Sequence, residues 1–420
     1  SLSNNDSGGT GGSDSTTGNT LFGYLAGNSI GSGSIDNIFI GHHAGSGSSI
    51  SSATSNVLIG GHSGQDLTSG DSNTSIGYNS GRSISSGQYN VFLGERAGHG
   101  VTQRSNNVYI GYKAGELVDG ASNNTGIGYQ SMLSSGTAGN NTAENNTAVG
   151  YQSLYSITTG DTNVALGGRA GYSLTTGTGN VAVGQGALDL ATTQADFNIA
   201  IGQDAINGNW TTADVNDLVG IGRNALSGVL TNAANGTIAI GYQSLTALTS
   251  GAGNTAIGYQ AYKAMTTGAS NVAIGYEAGL ELVGATNDNV IIGYQAVDDS
   301  NTRLSLRSVF IGSQAGGGTW TDTNEDNVAI GYQSMDAALG DSKYNVAVGS
   351  GTLGSLTTGD SNVAIGGLVT LTSLTTSSNN IAIGYSASRY NVDGASNVAV
   401  GTYSMRGASG QSHSNNTAVG

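Results

Sequence analysis

One pentapeptide, Asn-Val-Ala-Ile-Gly in its commonest form, returns 23 times between Asn19 and Gly420. A fixed internal period means that each unit is one supersecondary element. Such a unit cannot bury its apolar residues alone and must stack on its neighbours. The closing glycines include Gly23, Gly41, Gly60, Gly167, Gly184, Gly258, Gly275 and Gly401. Ten of the 22 intervals between successive closing glycines are 17 residues, and the rest are 18 to 22. This overrides the ordinary expectation of several globular domains for 420 residues. The chain divides into a Gly/Ser-rich lead-in, residues 1–18, and one repeat array, residues 19–420.

Counted from the closing glycine, the third residue before it is β-branched in all 23 copies, and the one directly before it is Ile, Leu or Val in 22. The residue between them is mostly Ala, and bulkier in Leu21, Phe39, Leu58, Phe92 and Tyr109. β-branched residues at a spacing of two, without a 3.6-residue period, predict a short strand. After the glycine comes Tyr-Gln-Ala or Tyr-Gln-Ser, with Tyr directly following the glycine in eleven copies. A second apolar position lies seven residues past the glycine, as in Leu174, Leu248 and Leu356, and often opens a Leu-Thr-Thr-Gly turn. Glycine supplies the positive φ such turns use.

Each coil therefore reads as one strong strand, one weak strand and two turns. The fold class is all-β: a parallel β-solenoid or β-roll of about 23 stacked coils of 17–22 residues. At a strand spacing of about 4.8 Å the array spans roughly 110 Å. Asn stands four before the glycine in 20 of 23 copies, Leu218, Thr237 and Ser308 replacing it. Stacked, these residues predict a side-chain amide ladder, as identical polar residues form in other stacked strands. Asn163, Asn180, Asn254 and Asn271, with Gly167, Gly184, Gly258 and Gly275, are its structural markers. The variable segments (the 130s–140s, 206–217, 227–236, 298–307 and 317–326) map to loops on one edge. The absence of proline fits a ladder in which every N–H has a partner.

If the β-branched pair faces the coil interior, the middle residue faces out. A row of Ala with interspersed Phe, Tyr and Leu would then be an apolar stripe larger than a monomer exposes. Such a stripe favours packing against further copies, and threefold closure avoids open-ended aggregation. The net charge of −15 and 9% charged residues argue against nucleic acid, which needs clustered Lys and Arg, and against an anionic membrane surface. With no cysteine there is no disulfide framework and no thiolate chemistry. The sequence carries no signal peptide, transmembrane run or lipidation motif. The Gly/Ser-rich start and the stop on a repeat glycine read as a segment of a longer protein.

At these residues the chain resembles the head repeats of trimeric autotransporter adhesins, whose Asn-Ser-Val-Ala-Ile-Gly pattern is matched at residues 271–278. It is similar also to the Asn-Thr-Ala-Ile-Gly-Tyr-Gln-Ala arrays of phage and bacterial tail-fibre-like proteins, as at Asn254 to Ala261. The resemblance covers residues 19–420. It implies a left-handed parallel β-roll, homotrimeric, that holds or forms an adhesive surface outside the cell or on a virion. The adhesin heads use shorter coils, so the roll here is expected to be wider or partly three-sided. The family offers no catalytic residues to transfer.

Catalytic constellations are missing from the sequence: there is no His-Glu-x-x-His, P-loop, Gly-x-Ser-x-Gly or zinc spacing, and the chain reads as a non-enzyme without cofactor or metal. His42, His43 and His62 lie near matching positions of adjacent coils. They read as exposed turn residues in preference to a metal or pH-sensitive cluster. Asp71, Asp161, Asp341 and Asp360 follow turn glycines and lack the dense nonapeptide of calcium rolls. The adjacent threonines of the turns face opposite sides of a strand, which disfavours a flat ice-binding array. The candidate binding feature is a tyrosine row, Tyr112, Tyr129, Tyr151, Tyr242, Tyr259, Tyr276, Tyr294 and Tyr332. Tyr rings stack on sugars, and equally cover the seam between coils or subunits. The sequons Asn123-Asn124-Thr125 and Asn209-Trp210-Thr211 are weak glycosylation signals. The expected function is a structural and adhesive extracellular fibre, a shaft or head that attaches to cell-surface glycans or a host receptor. The alternative is a self-assembling extracellular filament or matrix protein with a mechanical role.

Overall fold

The structure is a computed structural model. It describes residues 17–420 except 135–140, 191–194, 209–214, 301–304, 368–369, 409 and 411. Most of the expected lead-in, parts of three of the variable segments and the sequon at Asn209 lie outside the described residues. The chain forms two compact units, Ser1–Asn216 and Asp217–Gly420. The first carries eleven three-residue strands, from Thr20–Phe22 to Ile199–Ile201, and the second carries twelve, from Val219–Ile221 to Thr417–Val419. Within each unit successive strands pair in parallel and in register, so like residues lie beside like: Ala165 against Ala182, Ile257 against Ile274. The helical content of the described residues is one 3-10 turn, Asn232–Ala234. The fold is a parallel β-solenoid.

The direction of the strand residues is opposite to expectation. The middle residue is buried and the two flanking positions are half-exposed or exposed, as in Thr147–Val149 and Val181–Val183. Phe39, Phe92, Tyr109, Ala148 and Ala256 are fully buried. The stripe of Ala, Phe, Tyr and Leu is therefore core, and the outward rows are Val, Ile and Thr. The cause is the asparagine two residues before the strand centre. Its amide must reach carbonyls inside the coil, and the two-residue period of extended chain carries the strand centre inward with it.

That asparagine row runs through each unit. Asn180 Nδ2 donates to Asn163 Oδ1 at 2.9 Å, and Asn271 Nδ2 donates to Asn254 Oδ1 at 3.0 Å. Each Asn also ties the turn opposite, Asn163 Nδ2 to the Gly177 carbonyl at 2.8 Å and Asn254 Nδ2 to the Gly268 carbonyl at 2.7 Å. Buried amides hold their place only with such partners. At Ser308 the hydroxyl takes over, accepting from the Asn327 N–H at 3.2 Å.

The closing glycines stack at the corner. A Cβ on Gly167, whose φ is 133°, would lie 2.6 Å from the Gly184 carbonyl oxygen. No other residue fits so close a backbone approach. Beyond the corner the expected weak strand is mostly a turn. In the coil after Ile157 the N–H groups of Thr158, Thr159 and Gly160 converge on the single Thr175 carbonyl, at 2.8, 3.2 and 3.3 Å. A strand ladder would distribute them. Among the described residues, regular pairing on this side is confined to Ser305–Leu306 with Asn324–Glu325 and to isolated bridges such as Ile30 with Ile50. The apolar position seven past the glycine is nonetheless core: Leu67, Leu174, Leu248 and Leu356 are fully buried.

Candidate functional site

The tyrosines that follow the closing glycines lie on the outside of the corner, because the glycine turns the chain away from the strand. The residue after each Tyr is left-handed, as in Gln130 (φ 53°), Gln243 (φ 54°) and Gln260 (φ 54°). That conformation aims its N–H at the previous coil: Gln130 N–H donates to the Tyr112 carbonyl at 2.9 Å, and Gln260 N–H to the Tyr242 carbonyl at 2.8 Å. Backbone bonding thus fixes the pitch of the row, and the rings follow it.

In the first unit Tyr112, Tyr129 and Tyr151 stack with centroid separations of 5.3 and 5.4 Å and interplanar angles of 20° and 9°. In the second unit Tyr242, Tyr259, Tyr276 and Tyr294 stack at 5.1, 4.9 and 5.4 Å. Tyr332 stands apart, since Ser313 and Ser350 flank it in the same row. Beside each stack, side chains of neighbouring coils pair by hydrogen bonds. Gln152 Nε2 donates to Gln130 Oε1 at 2.8 Å, Gln260 Nε2 to Gln243 Oε1 at 2.8 Å, and Gln295 Nε2 to Glu277 Oε2 at 2.9 Å. The result on each unit is an exposed edge with aromatic faces and an ordered row of polar groups. Such an edge can offer a C–H face and hydroxyls separate partners.

Two features of this edge were not recognised in the sequence. Tyr155 and Tyr172, five residues past their glycines, form a second stack at 4.8 Å, and the Arg169 guanidinium lies 4.1 Å from the Tyr172 ring centre. Their equal offset in adjacent coils was the available signal. A cavity of about 470 Å³ opens on the second unit, lined mainly by residues five and six past the closing glycines: Thr246, Ala247, Lys263, Ala264, Leu280 and Glu281, with Gln260.

His42, His43 and His62 come together, with ring centroids 4.3 to 5.4 Å apart. Partial burial, and then the neighbouring imidazoles of His42 and His62, lower the pKa of His43. Among the described residues no group of three or more His, Cys, Asp or Glu is arranged to hold a metal ion. The turn aspartates tie neighbouring coils. Asp71 Oδ1 accepts from Thr54 N–H at 2.8 Å, and Asp360 Oδ1 from Lys343 N–H at 2.8 Å. Asp161 accepts from the Glu144 N–H at 2.6 Å, whereas Asp341 pairs within its own coil with Lys343 Nζ at 2.7 Å. Among the described residues no helix is long and apolar enough to cross a membrane.

No protein-family model matches the chain, and no match to it is found among curated proteins.

Proposed function

We propose that this chain is part of an extracellular structural and adhesive fibre, similar in plan to trimeric autotransporter adhesin heads and tail-fibre-like arrays. In this reading left-handed coils of three copies pack together on a cell surface or virion, and the tyrosine edge meets glycans or a host receptor. The observation that carries it is the repetition of one exposed Tyr and polar edge in register along each unit. Copies of a weak contact in a row raise avidity without any single deep site. Attachment of the full chain to glycan-coated surfaces tests it. Loss of attachment on replacing Tyr129 and Tyr259 with Ala is the expected result, and unchanged attachment would overturn it.

A second reading, a self-assembling filament with a mechanical role, is favoured by a different observation. The outward Val and Ile rows leave Ile38, Leu93, Leu166 and Ile199 exposed in the first unit, and Ile330, Ile365, Ile381 and Ile383 in the second. A continuous aliphatic face of that kind is suited to a second copy. Light scattering separates the readings. A discrete trimer supports the adhesive fibre, and concentration-dependent growth supports the filament. A monodisperse monomer would count against both forms of assembly.

A further inference from the structure

The longest aromatic stack of the first unit ends after Tyr151. The successive positions of this row are Tyr112, Tyr129, Tyr151, Gly168 and Gln185. Gly168 removes one rung and leaves the outer face of Tyr151 uncovered; Tyr151 is 54% exposed against 38% for Tyr112. Glycine takes the same repeat position at Gly61 and, in the second unit, at Gly367, and the three sites differ. A Cβ on Gly61 would meet the Tyr78 ring at 3.2 Å, and one on Gly367 would meet the Tyr385 ring at 3.8 Å. At those positions a neighbouring ring reaches into the gap. A Cβ on Gly168 meets nothing within 4 Å. The gap is a cavity of about 400 Å³ lined by Tyr151, Gly168, Arg169 and Gln185.

We propose that Tyr151, Gly168, Arg169 and Gln185 form a slot for a single neutral pyranose ring of a glycan; the proposal rests on the adhesive reading above and names its ligand class. The dimensions fit. Tyr151 and Gln185 stand two coils apart, about 9.6 Å at the spacing of parallel strands. A ring in van der Waals contact with both walls needs about 7–8 Å. Tyr151 supplies an aromatic platform for the C–H face of a sugar, and Gln185 supplies an amide that both donates and accepts. The backbone of the floor is already engaged, Gly186 N–H with the Gly168 carbonyl at 3.0 Å and Arg169 N–H with the Tyr151 carbonyl at 2.8 Å. Recognition therefore falls to side chains.

Arg169 sets the charge preference. Its Nε and Nη2 donate to the two oxygens of Asp189 at 3.0 and 3.2 Å, and its guanidinium packs on Tyr172. Asp189 is 7% exposed. The arginine is thus a fixed and already paired fork, which favours hydroxyls over a carboxylate or phosphate that would compete with Asp189. An aromatic side chain from another molecule would use the platform and leave Gln185 and Arg169 without a role.

Saturation-transfer NMR on the full chain, with the methyl glycosides of galactose, glucose and N-acetylgalactosamine as probes, tests the slot. The informative variant is Gly168→Tyr. It puts in this position the residue that eleven other coils carry there, and it extends the stack where nothing obstructs it. Transfer to the ring protons of at least one glycoside is expected for the wild type. It should fall at least fivefold in Gly168→Tyr and in Tyr151→Ala, and persist in Tyr259→Ala. Equal transfer in Gly168→Tyr would overturn the slot and leave glycan adhesion by the remaining tyrosines standing. No transfer to the wild type, with attachment to a mucin-coated surface intact, would overturn the slot alone. Loss of both would overturn the slot and the adhesive reading together. Competition by tyrosine amide without any glycoside signal would reassign the slot to an aromatic group.

Discussion

The coils near Phe39 and the coils near Ala182 fill the same interior with residues taken from opposite ends of the corner. In the earlier coils the strand centre is large and the fourth residue past the closing glycine is Gly: Phe39 with Gly45, Leu58 with Gly64, Phe92 with Gly98, Tyr109 with Gly115. In later coils the strand centre is Ala and that fourth residue is large: Ala148 with Leu154, Ala182 with Leu188, Ala239 with Leu245, Ala329 with Met335. The fourth residue is left-handed in both sets, at 54° in Gly45 and 49° in Leu245. A Cβ on Gly45 would lie 2.7 Å from the Phe39 ring. One side chain's volume is therefore required at this level of the coil, and the fold is indifferent to which residue provides it. Where both positions are small, a neighbouring coil fills the space: Tyr262 occupies it for Ala273 and Gly279, and Leu154 for Ala165 and Gly171. Close packing to a fixed density explains all three solutions.

The largest expected effect comes from forcing the exchange. Gly45→Leu alone overfills the coil, and Phe39→Ala alone leaves a cavity costing about 3–5 kcal/mol. Overpacking adds about 1–3 kcal/mol, with roughly 1–2 kcal/mol for the left-handed Leu. The double variant converts an early coil to the later type and should recover to within about 2–3 kcal/mol of the wild type, the left-handed Leu accounting for most of the remainder. A denaturation cycle of the four proteins reads the coupling. Additive losses would mean that the two solutions are not interchangeable.

Next comes the amide row, which is common to both kinds of coil. Asn90 donates to Asn73 Oδ1 at 2.9 Å and to the Arg104 carbonyl at 2.9 Å, and Asn271 donates to Asn254 Oδ1 at 3.0 Å and to the Thr286 carbonyl at 2.7 Å. Replacing either with Ala leaves buried groups unpaired, at about 1–3 kcal/mol for each group. Equal losses in the two variants, followed by amide exchange around each site, are expected. A much smaller loss at Asn90 would show that a large strand centre makes the row redundant.

A smaller change in the opposite direction is expected at Tyr262. It is fully buried, its hydroxyl has no hydrogen-bond partner among the described residues, and burial raises its pKa. Tyr262→Phe keeps the volume and removes the unmatched hydroxyl, so it should stabilise the second unit by about 1 kcal/mol. A loss of stability on calorimetry would place an unseen partner at that hydroxyl.

How much of this could be seen in the sequence follows from what repeats. The in-register parallel stacking was legible because β-branched residues and glycine recur at constant offsets. The direction of the strand was also present in the sequence, since the asparagine and the strand centre share parity, yet β-branched residues were assigned the interior by their hydrophobicity alone. The exchange between Phe39 and Gly45 was harder to see because it links positions six apart whose contact exists only after the corner has turned. The tyrosine row was visible as a column of residues. Its pairing with a row of glutamines depends on the left-handed backbone after each Tyr, which no propensity demands of Gln. The open gap at Gly168 was legible too, because the next residue of its row is Gln185, whereas Tyr78 follows Gly61 and Tyr385 follows Gly367.

The smallest effect concerns the edge, where the two kinds of coil differ most. Late coils present Tyr and Gln after the closing glycine, and two early coils present His42, His43 and His62. His43 lies against the His42 and His62 rings, with its Nδ1 3.3 Å from Ser46 Oγ. Partial burial first, and the adjacent imidazoles second, make the proton less welcome in the folded chain than in the unfolded one. The unfolded form therefore binds the proton more readily, so the contribution of His43 to stability is complete above pH 6.5, the ordinary histidine value, and is lost as the pH falls through the lowered folded value. Amide exchange at His62 N–H, which donates to the His42 carbonyl at 2.8 Å, reports on this corner. Corrected for intrinsic rates, its protection should decline between pH 7.5 and pH 5, while that of Gln260 N–H stays level. His43→Gln gives the early corner the residue found in late coils, in the same left-handed conformation, and should flatten most of the decline. A profile unchanged by His43→Gln would mean that the early edge tolerates the charge as freely as the late edge tolerates glutamine, and that only the packing of their cores separates the two regions.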